Sequence, residues 1–368
     1  MKTVRRLLYV DIAASVMLVA LAFLSLFFII DFVDELDSVG RHGRTIWSAL
    51  GSTALEVPGH FYDLLPIAVL IGTIYSLARL AQSTEYTILR TSGLGPGRAL
   101  ALLAGLGVAF AALTFVTGDY LAPASERTAV LMRAHYSGGI KLDGNGAWLK
   151  DKRTTPQGER SDSINVAGAT DDGALTGIRI FEFDAEGRLV TRVQAAGGKV
   201  EPDGTWRLSD VQVTDWPPPD GDQPVRLRKL ATLDWPSTLG ASVVAAAVLP
   251  LSTMTTLELL RYSAHLSDQE QAADQYRVRF WRKALYPFAC LVMMALALPF
   301  AYLHARSGSV SLKVFGGFML GISFVLLNNL SDHIGVLSGW TPWFAAAAPS
   351  LIYLLLSMAA FAWLVRYR

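Results

Sequence analysis

Long apolar runs with almost no charged residues constrain this chain more than any other feature of its sequence. An α-helix needs about 20 mostly apolar residues to cross the hydrocarbon core of a membrane. Six runs approach this length, and they cover residues 9–30, 61–78, 99–117, 284–302, 314–330 and 343–364. Charged residues make up 17% of the chain, compared with about 25% in ordinary soluble domains. We therefore predict an α-helical membrane protein with six transmembrane helices.

Two segments bear on this count of six. Residues 237–256 carry no charge, but nine of these twenty residues are Ser, Thr, Gly or Pro, and Pro250 lies inside the run. Because such a segment inserts less favourably than the others, we predict that it does not span. The first run follows basic residues, as a signal peptide does. It is longer than a cleavable apolar region and lacks a small-x-small cleavage site, so we predict a retained helix.

Basic residues in the short loops predict the orientation of the helices. With six spans and a cytoplasmic N-terminus, the basic residues at both termini and in the loops after the second and fourth spans are cytoplasmic. These residues are Lys2, Arg5, Arg6, Arg79, Arg90, Arg98, Arg306, Lys313, Arg366 and Arg368. One cluster breaks the rule, because it lies at the outer end of the fourth span. It consists of Arg277, Arg279, Arg282 and Lys283.

Most of the charge lies between the third and fourth spans, in residues 121–282. Short segments of alternating polarity recur there, separated by turns rich in Gly, Asp, Asn and Pro, which is typical of β-strands. They cover residues 147–150, 163–167, 177–183, 189–195, 205–214 and 225–233. We predict an all-β extracytoplasmic domain over residues 121–258, whose strands suit a sandwich, an open barrel or a jelly roll. Helices 1–3 then occupy residues 1–120, and a linker helix with helices 4–6 occupies residues 259–368.

The sequence lacks the common signatures of catalysis and of metal binding. It contains no phosphate-binding GxxxxGK[ST] loop and no GxSxG, HExxH or GxGxxG motif. Cys290 is the only cysteine, and the six histidines are scattered without a pair at i, i+4. The net charge of +1 removes the basic excess of a nucleic-acid binder. We predict no metal site and no nucleic-acid partner. No motif indicates an enzyme, although a membrane hydrolase built from distant residues stays open as an alternative.

The cytoplasmic loop between the second and third spans predicts a short helix over about residues 83–93. Ser83 or Thr84 can cap its start, where an acid such as Glu85 is favoured by the helix dipole, and Gly93 with Pro96 ends it. The residues it presents are Glu85, Tyr86, Ile88, Leu89 and Arg90. Glu85 either stabilises the helix start alone or belongs to a surface that docks a separate ATPase.

Several stretches resemble the LptF/LptG permeases of the lipopolysaccharide export machinery. They are E-Y-T-I-L-R-T-S-G at 85–93, G-D-Y-L-A-P at 118–123 with Glu126, F-V-D-E-L at 32–36, Y-R-V-R-F-W-R-K-A-L-Y-P at 276–287, and V-L-S-G at 336–339 before Pro342. Their order and spacing run nearly from end to end of the chain. The F-V-D-E-L ending of the first span favours the LptG side of the family.

The resemblance implies a mechanism and a set of partners. In that family, an LptF and an LptG form a cavity open to the outer leaflet, and a dimer of the LptB ATPase docks on their coupling helices. Jellyroll domains in the periplasm then pass lipopolysaccharide to LptC. ATP and Mg²⁺ are used by the ATPase, so the resemblance implies a non-catalytic permease that binds no cofactor directly. By this resemblance Glu85, Tyr86, Leu89 and Arg90 form the ATPase-coupling site, the β domain is jellyroll-like, and residues 237–256 fall in that domain and its return linker.

Two clusters of charge are candidate sites near the outer membrane surface. Arg is suited to phosphate, so we predict that five residues bind lipid phosphates: Arg133, Arg277, Arg279, Arg282 and Lys283. They could instead contact ordinary lipid headgroups or pair with Asp268, Glu270 and Asp274. Acids occupy the end of the first span where relatives often carry lysine, at Asp31, Asp34, Glu35 and Asp37. Either a divalent ion bridges them to an anionic ligand, or Asp31 and Asp34 contact a partner helix.

Two other classes of protein remain as alternatives. A membrane-anchored periplasmic adaptor would bind a protein through its β domain and use the spans only as a tether. Six spans and a shaped cytoplasmic loop exceed what a tether needs. A secondary transporter would need ionisable residues in the middle of the membrane, whereas Asp11 and Asp63 lie near the ends of their spans.

Overall fold

The computed structural model describes residues 2–366 apart from 41–42, 83–95, 138–139, 142–145, 156–157, 171–173, 202–203, 218–223, 241–242, 245–247, 249, 269–273 and 303–309. The chain divides into two compact units. The first contains Met1–Asp34, Glu56–Pro123 and Asp274–Arg368, and the second contains Glu35–Leu55 and Ala124–Ala273.

Helices dominate the chain outside a single β-sheet. They are α1 (Lys2–Leu36), α2 (Ile46–Gln82), α3 (Pro96–Val116), α4 (Ala122–Ser137), α5 (Thr256–Asp268), α6 (Asp274–Tyr302), α7 (Val310–Leu337) and α8 (Pro342–Arg366), and a π turn (Thr117–Leu121) joins α3 to α4. In the described part of the chain, six helical segments are long and apolar enough to cross a membrane. The predicted fold class, six membrane helices with an all-β domain between the third and fourth, is confirmed.

Two of the membrane helices extend well beyond the apolar runs that predict them. α2 begins at Ile46 and includes Pro58 and Pro66, although proline removes a hydrogen bond from a helix interior. The third apolar segment continues through the π turn, so that the helical path runs to Ser137. In lipid, a helix must satisfy its backbone polar groups internally. Proline and a π turn are tolerated in membrane helices because neighbouring helices and local adjustments of the backbone satisfy the groups that they leave free.

Within the first unit, the backbones of α1 and α2 come into contact where the two helices cross. A Cβ atom on Gly72 would lie 2.6 Å from both the Cα and the N of Val16, so the two backbones touch. Around this point Ile12, Val16 and Ala20 are fully buried. Small residues at a crossing allow this approach in membranes. Nearer the helix ends, Asp11 on α1 pairs with Arg79 and accepts a hydrogen bond from Ser76 of α2.

The second unit contains an antiparallel sheet. Its strands are β1 (Ile140–Lys141), β2 (Ala147–Thr155), β3 (Gly158–Ala169), β4 (Leu175–Phe183), β5 (Leu189–Val200), β6 (Trp206–Asp215) and β7 (Arg226–Trp235). The strands from β3 to β7 pair in chain order, and both β1 and β2 pair with β3. The six predicted strands are present and mostly longer than predicted, whereas β1, of two residues, was not predicted.

Residues after β7 return to cover one face of the sheet. Leu239, Val244 and Val248 are buried in the same cluster as Trp206 and Trp235. The Asp151 carboxylate, itself buried, accepts hydrogen bonds from the hydroxyls of Ser237 and Thr238 and from the Thr238 amide. The described part of residues 237–256 therefore packs on the sheet, in agreement with the prediction that this segment does not span.

A buried ionic group joins strands from the two ends of the sheet order. Asp162 on β3 is fully buried, and its Oδ2 lies 2.6 Å from Arg153 Nη2 and accepts a hydrogen bond from Trp235 Nε1 at 3.2 Å. Burial raises the pKa of Asp162 from its ordinary value of 3.8 to about 6, against the lowering effect of the Arg153 charge. This network ties β2, β3 and β7 together.

α5 begins with a reciprocal cap. The Thr255 hydroxyl accepts a hydrogen bond from the Glu258 amide, and the Glu258 carboxylate accepts one from the Thr255 amide. This pattern is a capping box. Glu258 also pairs with Arg127 of α4 at 3.2 Å, so the cap attaches α5 to α4 within the second unit.

Candidate functional site

The basic cluster that breaks the orientation rule forms a stripe on the first turns of α6. Arg279, Arg282, Lys283 and Tyr286 are spaced i, i+3, i+4 and i+7, which places them on one face of the helix. Arg277 lies outside this pattern. Arg279 is exposed, whereas Arg282 and Lys283 are half-buried. The charges of the stripe's three basic residues act on Asp63 of α2, so the stripe faces that helix.

Two tyrosines connect the stripe to α2. The Tyr286 hydroxyl donates a hydrogen bond to the backbone carbonyl of Asp63 at 2.6 Å, and the rings of Tyr62 and Tyr286 lie 4.7 Å apart. Gly118, in the π turn, lies so close to the Tyr62 ring that any side chain there would clash with it. π turns inside helices frequently occur at functional sites, and this one makes room for an aromatic ring beside the basic stripe.

Arg282 is held by a partner on another membrane helix. It forms an ion pair with Asp332 of α7, and its Nη2 lies 3.4 Å from Asn329 Oδ1. About a fifth of each charged side chain is exposed, 20% for Arg282 and 21% for Asp332. The pair therefore joins α6 to α7 and fixes the guanidinium in place. Asp268, Glu270 and Asp274, the predicted alternative partners, have side chains outside the described residues.

The structure brings together four of the five predicted phosphate-binding residues. Arg277, Arg279, Arg282 and Lys283 share the start of α6, although Arg277 lies off the stripe. Arg133 is half-buried on α4, in the other compact unit. Fixed, partly exposed guanidinium groups are a suitable surface for phosphate oxygens. Phosphate binding by these five residues stays a prediction.

The acidic end of α1 contacts α2 of the same chain. Asp31 Oδ2 lies 2.7 Å from His60 Nε2, and Glu35 pairs with Arg44, whose guanidinium also donates to the Ser52 hydroxyl at 2.9 Å. Asp34 is exposed. Contact of Asp31 and Asp34 with a partner helix stays a prediction, and for Asp31 an intramolecular contact is now known.

The predicted coupling residues Glu85, Tyr86, Leu89 and Arg90 lie outside the described residues, in 83–95. The described helices place that segment between the end of α2 at Gln82 and the start of α3 at Pro96. Its role stays a prediction.

Several residues of the site are not predicted by the sequence. Asp332, Asn329, Tyr62 and Tyr286 carry no motif, and only the spacing of Tyr286 from the basic residues of α6 could have indicated it. His60 was passed over because no second histidine lies at i, i+4. The signal that could have indicated His60 is a carboxylate at i−4, because Glu56 lies one helical turn before it.

Six membrane helices, a β domain inserted after the third, and a basic stripe where α2, α6 and α7 meet define a multi-pass membrane protein. Comparison with known proteins supports this class. The family model "Lipopolysaccharide export system permease LptF/LptG" matches residues 6–366, and the chain belongs to this family. The motif resemblance is therefore confirmed.

The similar curated proteins are LptG permeases. The chain is 28% identical over 350 residues to the lipopolysaccharide export system permease protein LptG of Escherichia coli strain K12, covering 94% of each chain. It is 27% identical over 331 residues to the protein of the same name from Haemophilus influenzae strain Rd, covering 89% of each chain. The prediction that favoured the LptG side of the family agrees with both.

Proposed function

We propose that this chain is the non-catalytic permease subunit of an ATP-driven transporter that extracts lipopolysaccharide from the outer leaflet of the bacterial inner membrane. The substrate is passed through the β domain toward a periplasmic bridge. The observation that carries the proposal is the family match, which extends over both the helices and the sheet. Hydrolysis of ATP takes place in a separate subunit, which also binds Mg²⁺, and this chain has no cofactor of its own.

The basic stripe supports a phosphorylated lipid as substrate. Lipopolysaccharide carries phosphorylated sugars above several acyl chains, so its binding surface must combine apolar helices with cations at headgroup level. Arg279 and Lys283 lie on an apolar membrane helix, and Arg282 is fixed beside them by Asp332. A fixed guanidinium binds phosphate at a lower entropic cost than a mobile one, because less side-chain freedom is lost.

Assembly and orientation complete the proposal. The chain pairs with an LptF-type permease, the LptB dimer docks at residues 83–93, and LptC receives the lipid. Both termini lie in the cytoplasm and the β domain lies in the periplasm. Support comes from the basic residues in the loops after the second and fourth spans, and from family membership.

The coupling site can be tested by affinity purification from solubilised inner membrane. The wild-type chain is expected to bring down an ATPase. Glu85→Ala is expected to reduce the amount of recovered ATPase, or the rate at which that ATPase hydrolyses ATP, at least about tenfold. A tenfold change corresponds to a loss of about 1.4 kcal/mol of coupling free energy. Thr87→Ala, in the same segment, is the matched control and should retain both. ATPase activity and the amount of co-purified subunit are measured together.

The same experiment separates transporter from adaptor. If a folded wild-type chain brings down no ATPase, the transporter assignment fails and the membrane-anchored adaptor becomes the better account. If Glu85→Ala and Thr87→Ala both behave as wild type, residue 85 has no role in coupling.

A further inference from the structure

Three potential metal ligands converge where the outer half of α2 meets the end of α1. Asp31, Glu56 and His60 each offer one ligand atom, and these atoms all lie within 4.8 Å of one another. Glu56 and His60 are one turn apart on α2 and so share a face of that helix. All three side chains are half-buried, which leaves the group accessible from one side.

The imidazole of His60 is held in a fixed position. The Phe27 ring of α1 stacks on it with ring centres 5.1 Å apart and an angle of 16° between the planes. The ring is thereby oriented with Nε2 at 2.7 Å from Asp31 Oδ2. A ligand whose orientation is fixed before binding loses less entropy when an ion arrives.

The charge of the group also favours a cation. Asp31 and Glu56 bring two carboxylates close together beside apolar helices, where repulsion between like charges is weakly screened. A divalent ion bound by the group would balance the charges of both carboxylates.

We propose that Asp31, Glu56 and His60 form a binding site for a divalent transition-metal ion, with Zn²⁺ as the best-fitting member of that class. Imidazole nitrogen favours transition metals, whereas Mg²⁺ and Ca²⁺ prefer sites made only of oxygen. One nitrogen and two carboxylates leave a fourth position of a tetrahedral ion open. That position can accept water or an oxygen of a bound anion, which places a positive centre at the acidic end of α1.

The site can be tested on the purified full chain in detergent, stripped of metal with a chelator and carrying a tag without histidine. Titration with Zn²⁺ is expected to show one bound equivalent. His60→Gln, Asp31→Asn and Glu56→Gln are each expected to weaken binding at least about tenfold. His333→Gln and Asp37→Asn change a histidine and an acid outside the group, and are expected to leave the affinity within about twofold of wild type, as distant sites do.

Two results would overturn the site. One is equal Zn²⁺ affinity in wild type and all three ligand variants, and the other is displacement of Zn²⁺ by equimolar Mg²⁺ or Ca²⁺. X-ray absorption of the zinc-loaded wild type gives an answer even if a variant fails to fold, because it must show one imidazole nitrogen with oxygen ligands. The experiment uses no lipid or ATPase, so its failure would leave the proposed export function untouched.

Discussion

Alanine at Gly72 is expected to destabilise the helical unit strongly. The added Cβ would lie 2.6 Å from backbone atoms of Val16, so relief requires α1 and α2 to move apart rather than a side chain to rotate. Overpacking of this kind costs about 1–3 kcal/mol. We expect a marked fall in the midpoint of SDS-induced unfolding of the purified chain.

Gly97→Ala provides the matched control for this prediction. Gly97 lies in the first turn of α3, and among the described residues no atom lies within 4 Å of the position its Cβ would take. Alanine there should be neutral or stabilise slightly, because it reduces the freedom of the unfolded chain. Equal midpoints for the two alanine variants would show that α1 and α2 do not meet at Gly72.

Removing the carboxylate from Asp332 is the second change with a large expected effect. Asp332→Asn leaves the Arg282 guanidinium without its charged partner, while the helix keeps a side chain of the same shape. Loss of one partner of a buried pair costs roughly 3–5 kcal/mol. We expect a cost near the lower end of this range, because 20% of the Arg282 side chain and 21% of the Asp332 side chain remain exposed. Unfolding of the purified chain in SDS measures the effect.

A double variant separates the unpaired charge from lost packing. Arg282→Met with Asp332→Leu replaces the pair with apolar groups, which are often neutral or stabilising at buried sites. The double variant should therefore recover most of the stability that Asp332→Asn loses. Asp215→Asn, which removes a partner of the more exposed Arg228, should have a much smaller effect. Equal losses in the single and double variants would show that the unpaired Arg282 charge is not the cause of the lost stability.

The sequence predicts the elements of this protein better than their ends. Apolar run length is sufficient to count six spans, because burial in lipid requires nearly every residue of a helix to be apolar. The length of the apolar run does not predict the first part of α2, because Glu56, Pro58 and His60 interrupt the apolar sequence there. It also misses α4, whose Glu126, Arg127 and Arg133 give it the composition of a surface helix.

The candidate site was predictable only in part. The basic cluster on α6 could be identified because four cations at the predicted outer end of one span break the orientation rule. Its contacts with Asp332 and Asp63 join helices that are distant in the sequence, and no local pattern specifies which of them pack together. The same reason hides the group of Asp31 with Glu56 and His60, since α1 must first pack on α2.

Transport of lipopolysaccharide itself tests the central claim most directly. The chain is reconstituted with the proposed partner permease and ATPase in liposomes that contain lipopolysaccharide. Transfer of the lipid to LptC, the proposed acceptor, outside the liposomes is measured with and without ATP. The account predicts transfer that requires both ATP and this chain. Hydrolysis of ATP by an intact complex without transfer, or transfer at the same rate without ATP, would contradict it.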